Sequence, residues 1–348
     1  MITLEDYGIL YKEIDKILIA YINFRGQIKD IPSRIEELHQ QCKEYAIGPP
    51  IAIIDYGVFS EGGNDIDLCV PIKNSIELDN VSTKYIKNVE VLSKNHHGSL
   101  DKINSTFQDL AKYFHMHGIP GTEWLRLIFH KYDENYPENN EIEIQSGIHP
   151  WDKRLEFNLD RVLGEKLREE IMKTSEELFT IHSSHEERTQ WIKDMLVRLD
   201  QNAKNYEKYE ILSSCAHDFS RKRIEKLKSL YKKTGDIDKI LEVMHKDYAW
   251  YENPKRKGNK IYVTKIPYNR EGFAKAISPK EKKRNYCHCP LVRNHFDEGI
   301  SPTFCNCSAG WYRQLWEGIL ERPVKISILK SLLNGDQNCK FEISLPFN

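Results

Sequence analysis

Two pairs of closely spaced cysteines lie near the C-terminal end of the chain. Cys287 and Cys289 form one Cys-x-Cys doublet, and Cys305 and Cys307 form a second doublet after 15 intervening residues. Thiolates are preferred ligands of zinc, and a folded loop could bring both doublets around one ion. The one-residue gap is shorter than the two-residue gap of most zinc knuckles, so further ligands are sought in other segments: Cys215, His217 and Cys339.

The same cysteines have two other interpretations. Free cysteine is among the most buried residue types, so the doublets could be reduced core side chains. They could also be redox-active or disulfide-forming thiols, or nucleophiles of a thiol enzyme that uses Cys287 or Cys305. Zinc is the favoured interpretation, as the only expected cofactor, and its predicted ligands are Cys215, Cys287, Cys289, Cys305 and Cys307.

Acidic residues recur in a second pattern, in the first half of the chain. Residues 65–68 and 141–144 both read acid, Ile, acid, apolar, which places Asp67 and Glu143 at equivalent positions. Strand alternation sends these acids to the face opposite the apolar residues. With aromatic residues beside them they could bind a cationic or polar aromatic ligand, and solvated edge acids are the alternative. The predicted ligand-binding residues are Tyr21, Tyr56, Asp67, Glu123, Trp124 and Glu143.

The elements that position these acids form an internal repeat. With an offset of 72, residues 23–26 (Asn-Phe-Arg-Gly) align with residues 95–98 (Asn-His-His-Gly), each at the end of a predicted strand. An apolar stripe of helical spacing follows in both copies and stops at a Gly and Pro cluster. Each copy therefore predicts strand, helix, strand, strand. If the two resulting sheets face each other, the acids line a cleft between them.

The "HHG" turn, the helix that ends in Gly and Pro, "EWL" and "EIEIQSGI" resemble the gyrase-inhibitor-like domain, also called the AraC effector-binding domain, over residues 1–152. The resemblance implies a cleft for small, often cationic or amphipathic molecules, with Glu123 at the position of the family's pocket glutamate. Some members hydrolyse small electrophilic ligands instead. Gly98-Ser99-Leu100 replaces the frequent Gly-Pro-Tyr of the family, which leaves the ligand class open.

The remainder of the chain predicts a helical connector over residues 153–205 and a Cys-rich α+β domain over residues 206–348. A capping box at Ser184 and Glu187 starts one of the connector helices. The basic run 221–233 is interpreted as the solvated face of a helix. "SLLNGDQNCKFEI", "CHCP" and "FCNCSAGWY" resemble the 4-vinyl reductase type of domain, which implies small-molecule sensing and, in some members, zinc. An amino-thiazoline hydrolase family has a similar ending.

Composition limits the functions that are compatible with this α+β chain. It has 348 residues, 30% of them charged, and a net charge of -1, so no global field attracts nucleic acid or a membrane. No apolar run would span a membrane and no export signal is apparent, so a cytoplasmic protein without membrane or nucleic-acid partners is expected. The oligomeric state stays open, and a homo-oligomer is compatible with the sequence.

Together the patterns predict a protein that senses or sequesters a small organic ligand. The alternative is a hydrolase in which burial raises the pKa of Glu123 or Glu143 for general acid or base chemistry, with Tyr21 or Tyr56 as a donor. The sequence shows no phosphate loop, no dinucleotide fingerprint and no Ser-His-Asp order.

Overall fold

The computed structural model describes residues 4–55, 64–246 and 252–346. The chain divides into two compact units. The first unit comprises Met1–Phe114 and Gly121–His149, and the second comprises His115–Pro120 and Pro150–Asn348. Both units combine helices and strands, which confirms the predicted α+β class.

The first unit contains the predicted module twice. Its strands and helices are β1 Leu10–Ile14, β2 Ile17–Gly26, α1 Ile31–Gln41, β3 Ile51–Asp55, β4 Asn64–Pro71, β5 Ser82–Ile86, β6 Val89–His97, α2 Ile103–Met116, β7 Gly121–Lys131 and β8 Glu141–Ile148. The modules are β2-α1-β3-β4 and β6-α2-β7-β8, so the predicted order of strand, helix, strand, strand is confirmed.

The two modules share one antiparallel sheet rather than forming two facing sheets. Its strand order is β1-β6-β8-β7-β3-β4-β2-β5. The expectation of separate sheets is wrong because β3 and β7, which would be the open edges, pair with each other from Ile51 with Ile128 to Asp55 with Trp124. This pairing satisfies backbone groups that two separate sheets would leave exposed. The strand that precedes each module pairs with the other module: β1 with β6, and β5 with β2.

One face of this sheet is apolar and packs against helices. Ile66, Leu68 and Val70 are fully buried, and β4 contacts α1, as the alternation in the sequence predicts. On α1 the predicted stripe residues Ile31 and Leu38 are buried as well. Burial of such aliphatic side chains contributes about 1.5–3 kcal/mol each. The opposite face is therefore left for the acids and aromatic residues.

The second unit is mainly helical and includes a small antiparallel sheet of order β11-β12-β10-β9. The helices that were predicted as a connector belong to its core, where Trp151, Trp191 and Leu199 pack around Cys215. The predicted capping box is present, with Ser184 Oγ accepting from the Glu187 N–H. No helix among the described ranges is long and apolar enough to cross a membrane. The elements are α3 Trp151–Leu163, α4 Glu165–Ile171, α5 Ser175–Leu178, α6 His185–Asn202, α7 Asn205–Ser213, α8 Arg221–Thr234, α9 Ile237–Lys246, β9 Lys255–Lys257, β10 Lys260–Thr264, α10 Arg270–Lys275, α11 Pro279–Tyr286, α12 Asn306–Leu320, β11 Lys325–Lys330 and β12 Lys340–Ser344.

Candidate functional site

The face of the first unit's sheet that points away from α1 and α2 carries charged and aromatic residues, and we call it the polar face. Asp67 on β4 pairs with Ile53 on β3, Ile53 pairs with Arg126 on β7, and Arg126 pairs with Gln145 on β8. Directly paired residues share a face, so one row of side chains crosses four central strands. Polar groups on central strands of a sheet are unusual unless they are satisfied or functional.

Asp67 is held by two neighbouring strands. It is 8% exposed. Its carboxylate accepts a hydrogen bond from Asn23 Nδ2 at 2.5 Å and an ion-pair contact from Lys84 Nζ at 2.7 Å. The ammonium of Lys84 also lies 4.0 Å from the ring centroid of Tyr21, which is a cation-π contact. The aspartate is therefore paired before any ligand arrives.

Glu143 has three side-chain partners at the equivalent position of the second module. It is 5% exposed and contacts Lys12 Nζ at 2.7 Å, Gln145 Nε2 at 2.9 Å and His130 Nε2 at 3.2 Å. Burial alone would raise the pKa of this carboxyl, but the hydrogen bonds from Lys12, Gln145 and His130 outweigh burial and hold its pKa below the usual value. The hydrolase alternative requires a raised pKa for its general acid or base, and for Glu143 this expectation is wrong.

The two acid–lysine pairs are related by the repeat. Asn23 on β2 is the register partner of Asp67 on β4, and Asn95 on β6 is the register partner of Glu143 on β8. Lys84 and Lys12 lie on β5 and β1, the strands that the modules exchange. The lysines are 72 residues apart, which is the offset of the repeat, so the sequence held a signal that could have identified both partners.

Arg126 lies between these pairs, and none of the described carboxylates is its partner. It is 4% exposed, its Nε has no hydrogen-bond partner, and its guanidinium carbon lies 4.6 Å from the centroid of the Trp124 ring. The Trp124 ring packs over Gly147. A Cβ atom on residue 147 would lie 2.5 Å from this ring, so the glycine makes room for it. Burial lowers the pKa of Arg126 to about 10, so the group stays charged at neutral pH.

An apolar strip completes the polar face. Ile19, Ile51, Cys69 and Ile128 form one buried cluster, and Tyr21 packs against it. A molecule with an apolar body and a polar end matches such a combination of aliphatic, aromatic and charged groups. The face could therefore bind an amphipathic organic molecule.

The structure brings together four of the six predicted ligand-binding residues. Tyr21, Asp67, Trp124 and Glu143 lie on the polar face, and the two acids are on central strands and buried, so they are not solvated edge residues. Glu123 lies in the stretch of β7 where the register with β8 shifts, so strand alternation does not assign its side chain to either face. Tyr56 lies outside the described residues. Arg126 was missed, although a single arginine inside the apolar run 125–129 is visible in the sequence.

Six cysteines of the second unit are linked by their charges, because neighbouring thiolates are among the causes that raise the thiol pKa values. We call them the thiol cluster: Cys215, Cys287, Cys289, Cys305, Cys307 and Cys339. Burial, reinforced by neighbouring thiols, raises the pKa of Cys287, Cys289 and Cys305 to about 12 and that of Cys307 to about 11. Protonated thiols are poor nucleophiles, which argues against the thiol-enzyme interpretation. All cysteines of the described chain are free thiols.

The predicted zinc site has no preformed geometry. Within the described ranges, no group of three or more His, Cys, Asp or Glu side chains is arranged to hold a metal ion. The expectation that Cys215 and the two doublets bind zinc therefore stays a prediction.

Comparison with protein families gives one match, to a family of unknown function (DUF6144), over residues 280–347. That segment contains both cysteine doublets and the final strands, but it is about a fifth of the chain. The resemblance of this part to the 4-vinyl reductase type stays a prediction. No curated protein matches the chain.

Three proteins of known structure are similar to part of the chain. The C-terminal domain of EcmrR is 16% identical, with a TM-score of 0.36, over 40% of this chain and 96% of that one. EcmrR in a complex with DNA is 15% identical, with a TM-score of 0.36, over 40% of this chain and 56% of that one. A hydrolase from Listeria innocua is 9% identical, with a TM-score of 0.30, over 41% and 92%. SAV2435 bound to tetraphenylphosphonium is 10% identical, with a TM-score of 0.31, over 42% and 96%. At these values no function is transferred from any of them.

Proposed function

We propose that the first unit binds a small amphipathic organic molecule on its polar face, as a sensing or sequestering protein would. The observation that carries this proposal is the burial of three charged side chains on central strands: Asp67, Arg126 and Glu143 are 4–8% exposed. Trp124 and Tyr21 lie on the same face and supply aromatic contact area for the ligand.

Stability alone is a poor reason for this arrangement. Moving a charged side chain from water into a protein costs several kcal/mol per ion, and well-packed apolar residues are often at least as stable. Sites that recognise a ligand commonly retain such groups despite the cost. The apolar strip beside Arg126 supports the same conclusion, because the partly exposed Tyr21 and Ile53 that pack against it offer apolar area to the body of the ligand.

Binding is favoured over hydrolysis. A general base at neutral pH works best with a pKa near 7, whereas the pKa of Glu143 lies below its usual value. Its carboxylate is also occupied by Lys12, Gln145 and His130. A cationic ligand would have to displace Lys12 from Glu143 or Lys84 from Asp67. We therefore propose an amphipathic ligand and do not require it to carry a positive charge.

For the second unit we propose that the thiol cluster holds a structural zinc ion. The support is that Cys215, Cys287, Cys289 and Cys307 come from separate segments and lie in one core cluster, and a metal ion would deprotonate those that bind it. This part of the proposal is independent of the polar face, and it is tested by metal content rather than by ligand binding.

The ligand proposal is tested with a panel of aryl-alkyl compounds that are anionic, cationic or neutral. Binding is measured by calorimetry on the full chain and on two variants. Trp124→Leu removes the aromatic wall, and Tyr136→Leu removes an aromatic residue that is 59% exposed in the same unit. Compounds that bind wild type and the Tyr136 variant, but not the Trp124 variant, support the proposal.

Two results would contradict it. Absence of binding by every compound, or binding that survives Trp124→Leu unchanged, would remove the polar face as the site. Mass spectrometry of the recovered compounds separates retention from hydrolysis, since a hydrolase would consume its ligand.

A further inference from the structure

Among the three buried charged groups of the polar face, Arg126 is the one that has no ion-pair partner within the described ranges. Asp67 is engaged by Lys84, and Glu143 is engaged by Lys12. The residues paired directly with Arg126 are Ile53, which is apolar, and Gln145, whose amide donates to Glu143. The described part of the chain therefore leaves an uncompensated positive charge that is 4% exposed.

Neither acid closes this gap, although both lie within reach of an extended arginine side chain. Asp67 is two strands from Arg126 in the same row, at a backbone separation of about 10 Å. Glu143 is the diagonal neighbour on β8, about 7–8 Å away between backbones. Each acid instead turns to the lysine on the edge strand of its own side. The guanidinium remains stacked on Trp124, with its Nε unbonded.

The fold itself does not require an arginine at this position. In the first module, Ile51 pairs with Cys69, two residues after Asp67. In the second module, Arg126 pairs with Gln145, two residues after Glu143. Ile51 and Arg126 are therefore equivalent positions, and an aliphatic side chain satisfies the packing at one of them. Packing therefore does not account for the charged side chain of Arg126, and we look for its role in binding.

We propose that Arg126 binds the carboxylate of an amphipathic monocarboxylic acid, whose apolar body lies on the partly exposed side chains of Trp124, Tyr21 and Ile53. This inference rests on the proposed function and specifies its ligand class. A guanidinium offers a planar pair of N–H donors that matches a carboxylate, and a charged hydrogen bond to a buried partner is stronger than a neutral one. A monoanion fits better than a dianion, because the acids of this face are paired with lysines and Arg126 supplies a single uncompensated positive charge.

The test compares three probes of nearly equal shape: 4-phenylbutyrate, its methyl ester and 4-phenylbutylamine. Affinity is measured by calorimetry at pH 7.5 for the full chain, for Arg126→Met and for Arg126→Lys. The exposed Lys131 on the same strand provides the control Lys131→Met. In wild type, 4-phenylbutyrate should bind about tenfold or more tightly than the ester. The preference should vanish in Arg126→Met, persist in Lys131→Met, and be partly retained in Arg126→Lys.

The inference is overturned if wild type binds the ester or the amine as tightly as the acid, or if the preference for the acid survives Arg126→Met. The comparison of probes on wild type needs no folded variant. Probes that bind without charge preference, and lose affinity in Trp124→Leu, would leave the proposed function standing and refute the carboxylate site. Failure of all probes and of the wider panel would refute both.

Discussion

Replacing Arg126 with methionine should stabilise the ligand-free protein, because it removes a buried charge that has no carboxylate partner. Burial lowers the pKa of this guanidinium from its usual value to about 10. The folded protein thus holds the proton less tightly than the unfolded chain does. At neutral pH, where both states are charged, the whole difference weakens folding, and it would disappear only above the pKa of the unfolded state.

The magnitude follows from that shift. At 1.36 kcal/mol for each pKa unit, the charged form costs about 3 kcal/mol in the folded state. The variant loses the cation-π contact with Trp124, which is worth about 1 kcal/mol. A linear methionine side chain fills much of the same space, so the net gain in the free energy of unfolding should be about 1–3 kcal/mol. A position selected only for stability would therefore carry an apolar side chain instead of this arginine.

Calorimetry of the whole chain and hydrogen exchange of the β7 amides measure this gain. The melting temperature of the first unit should rise by about 2–4 °C for each kcal/mol. Lys131→Met on the same strand, where the side chain is exposed, should change stability by less than about 0.5 kcal/mol. If Arg126→Met lowers the melting temperature, or protects β7 no better than Lys131→Met does, the charge is already compensated and the reasoning is refuted.

Four other outcomes are expected. Iodoacetamide at pH 8 should modify the thiol cluster of metal-free protein on the order of 100–1000 times more slowly in the native state than in urea, because a pKa of about 12 leaves few thiolates. Elemental mass spectrometry should find about one zinc per chain, and metal-free protein with rapidly labelled thiols would contradict both statements. Gly310→Ala should destabilise the second unit by about 2 kcal/mol or more, since its Cβ would lie 1.8 Å from a backbone carbonyl oxygen of α7. Gly318→Ala on the same helix should cost less in urea unfolding, because its Cβ would meet, at 2.6 Å, a side chain of α8 that can rotate. Glu143 has a lowered pKa, so its stabilisation is present above the unfolded value and is lost as the pH falls through the folded value. Glu143→Gln should therefore be less stable at pH 7 and lose less stability between pH 5 and 3, and a parallel loss in both proteins would contradict the assignment.

Local patterns predicted the first unit well because its modules are defined by short-range periodicity. The alternation of Ile66, Leu68 and Val70 identified the face that packs on α1. The Gly and Pro cluster marked the end of α2, whereas α1 ends at Gln41, before its cluster at residues 47–50. The pairing of β3 with β7 could not be predicted in the same way. It is a tertiary contact between strands about 70 residues apart, and neither strand differs in pattern from an open edge.

The partners of the acids were missed for a different reason. Lys12 and Lys84 lie on short strands outside the repeated module, and each lysine reaches the acid of the module to which its strand is added. Sequence reasoning assigned the acids a ligand role because unpaired carboxylates were assumed. The thiol cluster was predicted more fully, since Cys215 and the doublets were grouped by residue type, but type alone does not supply the geometry of a metal site.

The repeat also separates structural charge from functional charge on the polar face. Groups that occur in both modules, namely the two acids and their lysines, cancel one another and add no net charge. Arg126 occurs in one module only, and the equivalent position is occupied by Ile51. The charge of Arg126 has no equivalent in the first module. It therefore makes the two halves of the sheet different. A ligand with one charged end and one apolar end has the same lack of symmetry, and it can therefore bind this face in only one orientation.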